Sequence, residues 1–254
     1  MRFASLASGS RGNALLVEHK QTLVMIDCGV TLKSAEQRIR ALGHDPADVT
    51  ALLVTHEHAD HIRGVSAFAR RYAVPVWMTP GTAAGGRVTS LPRLRTFACS
   101  RALELGDLHV EPFTVPHDAR EPSQFVFAAG GRRLGLLSDT GHVTAHVRER
   151  LDGCDALAVE FNHDHESLQN GSYPEAVKRR IASPLGHLSN SQAAELVGKL
   201  RHQGLQWVVA LHLSEANNCP DEVDRQLKSA LGDGHGATRQ LAAQDDVGPW
   251  LELV

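Results

Sequence analysis

The chain has 254 residues, a formal net charge of -3 and 5% aromatic residues. That length supports a sizeable core in one folding unit, and no stretch reaches the roughly 20 apolar residues of a membrane span. The slight acidity argues against a globally basic nucleic-acid binder.

Short apolar pieces at Arg2 to Ser8, Ala14 to Glu18 and Gln21 to Ile26 read as a strand meander, broken by Gly9-Ser10-Arg11-Gly12-Asn13 and His19-Lys20. The start Met1-Arg2-Phe3-Ala4-Ser5-Leu6 lacks the pattern of a signal peptide, which gives the expectation of a cytoplasmic protein. Cys28, Cys99, Cys154 and Cys219 form no Cys-x-x-Cys pair, so neither a disulfide framework nor a zinc ribbon is expected. The third strand ends on Asp27-Cys28-Gly29, and Thr31 then caps a helix with Ile39 and Leu42 facing inward.

The buried strand Ala51-Leu52-Leu53-Val54 leads directly into Thr55-His56-Glu57-His58-Ala59-Asp60-His61. In an extended segment alternate side chains share a face. His56 and His58 therefore point at one ion, while Asp60 and His61, turning into the next helix, face another. Lone histidines in such a loop would merely cap that helix; this density of imidazoles and carboxylates reads as a two-metal ligand set.

Ile62, Val65, Phe68 and Ala69 mark one amphipathic helix opened by this motif, and Val74 to Met78 a short strand. The segment from Thr82 to Ser100 reads as irregular or short-helical and is the expected place of substrate contacts. Arg87, Arg93, Arg95 and Arg101, or Lys178, Arg179 and Arg180, supply either a local basic face or ordinary solvated surface. Leu108 to Val115 is a strand running into His117. Phe125 to Ala129 and Arg132 to Leu137 flank Gly130-Gly131 as a hairpin, and the second of them ends in Ser138-Asp139-Thr140-Gly141.

Ala156 to Phe161 forms a further strand, running into Asn162-His163-Asp164-His165-Glu166. Helices at Pro174 to Ile181, Ser191 to Leu200 and Asp221 to Leu231, a strand Trp207 to Leu213 carrying His212, and short terminal strands complete the chain. Two groups of strands with helices between and outside them fit an α/β, four-layer αββα sandwich, a single domain over residues 1–254 with its loops on one edge.

The run His-x-His-x-Asp-His at 56–61 resembles the signature of the metallo-β-lactamase superfamily. The resemblance implies a place for His117, for Asp139 in Ser-Asp-Thr-Gly and for His212 in His-Leu-Ser, each of which alone would be an ordinary core or loop residue. It assigns His56, His58 and His117 to one divalent ion, Asp60, His61 and His212 to a second, and Asp139 to both. Asp27, alone an ordinary turn residue, would hold the metal loop by hydrogen bonds. Nitrogen and oxygen donors suit zinc, manganese or iron. Two such ions about 3.5 to 4 Å apart share an activated hydroxide for attack on a phosphoryl or carbonyl centre, with Asp60 counted among the catalytic groups.

Ala-Ser-Gly-Ser-Arg-Gly-Asn (7–13), Val-Glu-Phe-Asn-His-Asp (159–164), Gly-His-Leu-Ser-Asn (186–190) and Leu-His-Leu-Ser-Glu-Ala-Asn-Asn (211–218) are similar to the YycJ/WalJ branch of that superfamily. This implies a metal-dependent phosphodiesterase acting on DNA as a 5' exonuclease. On that reading His187 is a catalytic donor or acid, and Glu160 and His163 orient ligand imidazoles. Ser189 and Asn190, at a helix start, favour a phosphate, or Ser189 is simply that helix's cap. Asn217 and Asn218 contact a nucleotide or form a turn before Pro220.

A small-molecule hydrolase of the glyoxalase II or lactonase kind and a non-catalytic metal scaffold are the alternatives. The sequence has neither the C-terminal substrate segment of glyoxalase II nor the β-CASP insertion of RNA-processing relatives. Few aromatics favour backbone-directed binding over base reading.

Overall fold

The computed structural model describes residues 1–254 except Arg87, Thr89 and Ser90; of the arginines singled out above, Arg87 thus lies outside the described residues. The first half runs β1 (Arg2–Ala7), β2 (Ala14–His19), β3 (Thr22–Ile26), α1 (Leu32–Ala41), β4 (Ala51–Leu53), α2 (Ala59–Ile62), α3 (Val65–Tyr72), β5 (Val76–Met78), α4 (Pro80–Gly85) and β6 (Leu94–Thr96). The second runs β7 (Leu103–Leu105), β8 (Leu108–Thr114), β9 (Ser123–Ala129), β10 (Arg132–Leu137), α5 (Ala145–Leu151), β11 (Ala156–Glu160), α6 (His165–Asn170), α7 (Glu175–Ile181), α8 (Asn190–Leu200), β12 (Trp207–Leu211), α9 (Pro220–Leu231), β13 (Thr238–Leu241) and β14 (Leu251–Glu252).

The strands form two sheets, ordered β14-β1-β2-β3-β4-β5-β6 and β13-β12-β11-β10-β9-β8-β7. Their facing surfaces share one apolar cluster, to which Val24, Ile26 and Leu53 contribute from the first sheet and Phe125, Leu136 and Val209 from the second. The outer face of the first sheet packs Leu23 and Met25 against Ile39 of α1 and Phe68 of α3. The outer face of the second packs Val126 and Val208 against Val147 of α5, Leu196 of α8 and Leu227 of α9. β3 is therefore buried on both faces, which is why its sequence is a continuous apolar run. The four layers are those of the expected αββα sandwich.

Register carries the chain to the site. β3 and β4 pair in parallel with Ile26 opposite Leu53, so Asp27 and the histidine loop leave the sheet side by side. In the second sheet β10, β11 and β12 are parallel, with Leu137 opposite Val159 and Glu160 opposite Leu211. Asp139, Glu160 and His212 thus emerge together at the strands' C-terminal ends, where open α/β sheets place their ligand crevices.

Three local readings need correction. The helix opened by the histidine motif is two helices that meet at Gly64, where the backbone passes so near Val30 that a Cβ would lie 2.2 Å from its carbonyl oxygen. The stretch from Thr82 to Ser100, read as irregular or short-helical, begins inside the short helix α4, which Thr79 caps, but residues Leu94–Thr96 within it extend the first sheet as β6, parallel to β5. The helices α5 and α6 occupy segments assigned no helix, each entered through a capping side chain, Thr144 and Asp164.

Candidate metal centre

Asp27, Asp139 and His212 follow β3, β10 and β12, and all three adopt left-handed backbone conformations, with φ of 58°, 52° and 54°. Non-glycine residues adopt this region at a cost of about 1–3 kcal/mol each, tolerated where the surroundings over-determine the conformation. Asp27 shows that over-determination. Its Oδ1 accepts from the Thr55 backbone N-H at 2.8 Å, and its Oδ2 from the Thr55 hydroxyl at 2.8 Å. Oδ2 also lies 2.7 Å from Nδ1 of His61, which fixes the proton there and turns Nε2 toward the cluster.

The other rings are held from behind in the same way. His117 Nδ1 is 3.0 Å from the Gly186 carbonyl, and His56 Nδ1 is 3.0 Å from the Thr55 hydroxyl. His58 sits at the start of α2 without a side-chain capping bond; instead its Nδ1 lies 3.2 Å from His117 Nε2. His56, His58 and His117 present one ring nitrogen each within 4.8 Å of one another, the grouping expected for one ion.

For the second grouping, Asp60 Oδ2 lies 3.4 Å from His61 Nε2 and 3.6 Å from His212 Nε2. Asp139 stands between the two groupings. Its Oδ2 is 3.2 Å from both His61 Nε2 and His212 Nδ1, and its Oδ1 is 3.9 Å from His117 Nε2. All seven expected ligands therefore converge. Residues that fit a cation should include a buried polar atom left without a protein partner, and Nε2 of His56, which is 1% exposed, is one.

The charges alternate across the cluster. Burial works to lower the His61 pKa, but Asp139, Asp27 and Asp60 outweigh it and hold the imidazole well above its ordinary value. Burial presses the Asp139 carboxyl upward, yet His212 and His61 keep it well below the carboxylate range. Asp60, likewise buried, is brought down to about 2 by His61 and His212. Burial, reinforced by neighbouring imidazoles, drives His56 down, and burial lowers His117. These two rings are neutral, the form that coordinates a metal.

His187 also reaches this edge. Its Nδ1 is 3.1 Å from Glu160 Oε2 and 3.6 Å from Asp139 Oδ1. Glu160, fully buried, accepts from the backbone N-H groups of Thr140 and Leu188 as well, so it is rigidly placed to orient His187. Burial lowers the His187 pKa, but Glu160 and Asp139 more than offset it and raise it to about 9. Asp139, Glu160, His187 and His212 also form a grouping able to hold a cation, so His187 borders the ligand set directly.

The remaining expected residues use their polar groups inside the protein. Ser189 closes a capping box with Gln192 at the start of α8, which settles its geometry in favour of the cap. Asn190 donates to Asn218 Oδ1 at 2.7 Å, and Asn218 donates to the Phe161 carbonyl at 2.7 Å; this buried amide pair ties α8 to the segment before α9. Asn217, 1% exposed, donates to Ser214. Ser189, Asn190 and Asn217 are thus buried and Asn218 half-buried, and Asn217 Oδ1 is left without a protein partner. His163 is buried, its Nδ1 without a protein partner, and burial lowers its pKa to about 4.

A cleft of about 350 Å³ opens onto the cluster, lined by His58, Asp60, Asp139, His187 and His212 together with Tyr173, Val177, Arg180 and Ile181. Arg93, Arg95 and Arg101 do not line it; Arg93 bonds the Ala73 carbonyl at 2.9 Å, and Arg95 lies on the edge strand β6. Arg180 replaces them, its Nε and Nη2 2.6 and 3.2 Å from the carboxylate of Asp118. Sequence reasoning also passed over Asn13, whose side chain lies 3.3 Å from Asp60 Oδ2 and accepts from the Gly9 N-H at 2.9 Å. Its position closing the Gly-Ser-Arg-Gly-Asn loop was the available signal.

A two-sheet sandwich that gathers histidines and carboxylates at its strand ends around a cleft defines a metal-dependent hydrolase. Residues 22–212 match the Beta-lactamase superfamily domain. The chain is 36% identical over 235 residues to "Exodeoxyribonuclease YycJ" of Bacillus anthracis, covering 91% of this chain and 89% of that protein. It is 34% identical over 224 residues to "Exodeoxyribonuclease WalJ" of Streptococcus pneumoniae, covering 85% and 83%. The chain belongs to the metallo-β-lactamase superfamily, in its YycJ/WalJ-like branch. The fold is shared with the metallo-β-lactamase fold protein YhfI of Bacillus subtilis at a TM-score of 0.77, with 14% identity over 99% of both chains.

Proposed function

We propose that this protein is a metal-dependent phosphodiesterase that removes nucleotides from DNA, acting as a 5' exonuclease, and that residues 1–254 work as one catalytic unit. The observation that carries the reading is the gathering of the seven donors at one edge of the sandwich, among them His56 Nε2, a buried nitrogen without a protein partner. The similarity to two exodeoxyribonucleases along most of the chain supports the substrate.

His56, His58 and His117 would hold one divalent ion, Asp60, His61 and His212 a second, and Asp139 both; zinc or manganese suits this donor set. Such ions supply a nucleophile at neutral pH and stabilise charge on phosphoryl oxygens. The chain's own groups do the rest. Asp27 and Thr55 fix the His61 ring, and Glu160 fixes His187 through Nδ1. His187, with a pKa raised to about 9, carries a proton at neutral pH and can donate it to a phosphoryl oxygen or the departing alkoxide. A cytoplasmic setting is supported by the four free cysteines, which fit a reducing compartment.

The test is an assay of chelated and re-metallated protein on end-labelled single- and double-stranded DNA and RNA, with a thioester and a lactone alongside. Metal-dependent release of nucleotides from DNA ends is expected. Turnover of the thioester or lactone with intact DNA would replace this reading with a small-molecule hydrolase.

A further inference from the structure

Glu57 stands between two expected ligands, His56 and His58, and belongs to neither ligand grouping. Alternate side chains of an extended segment share a face, so with both histidines toward the cluster Glu57 points away from it. Its Oε1 accepts from the backbone N-H of Arg120 at 2.8 Å, three residues beyond His117 in the connection from β8 to β9. A side chain on the metal loop of the first sheet thus holds the loop of the second sheet that brings in His117, the third member of the same grouping. The two segments meet once more where the Ser123 N-H donates to the Thr55 carbonyl at 2.9 Å.

The short helix α4 closes over this junction. A Cβ on Gly85, in its last turn, would lie 2.7 Å from both Cδ and Oε1 of Glu57, and one on Gly86 would lie 3.5 Å from the Glu57 Cβ. Two residues without side chains therefore let the helix end rest directly on the carboxylate. The start of α4 is tied to the same β8–β9 connection: the Gly81 N-H donates to Glu121 Oε2 at 2.7 Å, and the Thr79 hydroxyl to the Glu121 carbonyl at 2.8 Å. Glu57 is half-buried, and its Oε2 is enclosed without a hydrogen-bond partner among the described residues. The Arg120 bond is thus the one polar tether of this side chain among those residues.

We propose that Glu57 is a positioning residue for the first ion: it clamps the loop of His56 and His58 to the loop of His117 and so sets the spacing of three donors drawn from two sheets. Groups that touch no metal but hold its ligands govern affinity in this way. Asp27 does the corresponding work for His61 in the second grouping, through Nδ1 at 2.7 Å. Each grouping would then have one carboxylate outside it that holds a ligand loop in place. The inference rests on the ligand assignment above and holds whatever substrate the centre acts on.

The test measures zinc affinity of the full chain, stripped of metal, by competition with a chromophoric chelator. Two backgrounds separate the ions: His212→Ala leaves the first grouping complete, and His58→Ala the second. Glu57→Ala is expected to weaken zinc binding by roughly 10- to 100-fold in the His212→Ala background, the range for groups that orient ligands, and to leave it nearly unchanged in the His58→Ala background. Glu57→Gln, which keeps an oxygen facing the Arg120 N-H, restores binding. Gly85→Ala retains Glu57 but presses on its carboxylate, and weakens the same ion; it carries the test if Glu57→Ala does not fold. Urea unfolding of the metal-free proteins reads a purely structural role. Equal losses at both ions with a lowered unfolding midpoint, unchanged affinity in the His212→Ala background for Glu57→Ala or its Gly85→Ala substitute, or Glu57→Gln as weak as Glu57→Ala would each overturn the clamp and leave the ligand assignment standing. Wild-type protein that takes up one ion or fewer removes the two-ion assignment, and the clamp with it.

Discussion

His61 belongs to the buried ligand cluster, and Val177 to the exposed helix that lines the cleft beside it. The His61 side chain is 1% exposed, with Asp27 behind one ring nitrogen and Asp60 and Asp139 in front of the other. Val177 is 37% exposed on a helix of seven residues. The histidine side rests on strand ends and kinked backbone, so its atoms are placed by the cores of both sheets. The α7 side stands on a short helix, tied toward the cluster by the Arg180–Asp118 ion pair and by the backbone bond from His187 N-H to the Ile181 carbonyl. The candidate ligands are thus placed where displacement is costly, and the exposed face beside them where side chains can be exchanged at little cost to the fold.

Substitutions in the buried half should separate from those at its margin. Asp139→Ala is expected to have the largest effect: it removes the group standing between both ligand groupings and leaves His61 and His212 with Asp60 as their one shared carboxylate. Nuclease activity should fall below detection and bound metal should drop, read together by end-labelled DNA assay and elemental analysis; full activity with one ion or fewer per chain would contradict the bridging role.

His187→Ala removes a donor that Glu160 orients, while all seven expected ligands remain. Turnover is expected to fall by roughly 10²-fold or more with a smaller change in KM, and metal content and melting temperature should stay near wild type. Wild-type turnover in a fully metallated variant would remove the catalytic role, and lost metal would mark His187 as a ligand.

The smallest effect is one of stability. His163 is 2% exposed, and burial lowers its pKa to about 4, against an unfolded value near 6.5. Between these values the unfolded chain binds a proton that the folded chain does not, so stability falls as pH drops from about 6.5 toward 4 and is unaffected above that window. His163→Gln should lose less stability between pH 7 and pH 5, by about 2 kcal/mol, measured by urea unfolding at both pH values. Parallel losses in the two proteins would show that this imidazole takes no part.

The legibility of the sequence divides along the same line. Three histidines of the cluster lie within six residues after a strand, so local periodicity was enough to place them. Asp27, His117, Asp139 and His212 are scattered singles, and only the resemblance joined them; Asp27 arrives through the parallel register of β3 and β4, and Asp139 and His212 through that of β10, β11 and β12. The α2–α3 break was invisible because Ile62, Val65 and Phe68 all pack on the same core, so the apolar period continues across Gly64. The Asn190–Asn218 pair is a tertiary contact between residues 28 apart, and polar residues at a helix start look the same whether they face a ligand or each other. Arg93 and Arg180 are equally basic in sequence; only the path of the chain puts one at an edge strand and the other in the cleft.

The ligand groupings draw on both sheets: His56, His58 and His61 hang from the first, and His117, Asp139 and His212 from the second. A cation gripped by both would act as a rivet through the sandwich, fastening at this edge two layers otherwise joined mainly by apolar packing. An unfolded chain holds no such arrangement, so occupancy adds directly to stability, by about 2.7 kcal/mol when free metal is a hundred times its dissociation constant. The cellular supply of the ion then governs how long the protein survives as well as how fast it works. A starved molecule would part first along this seam.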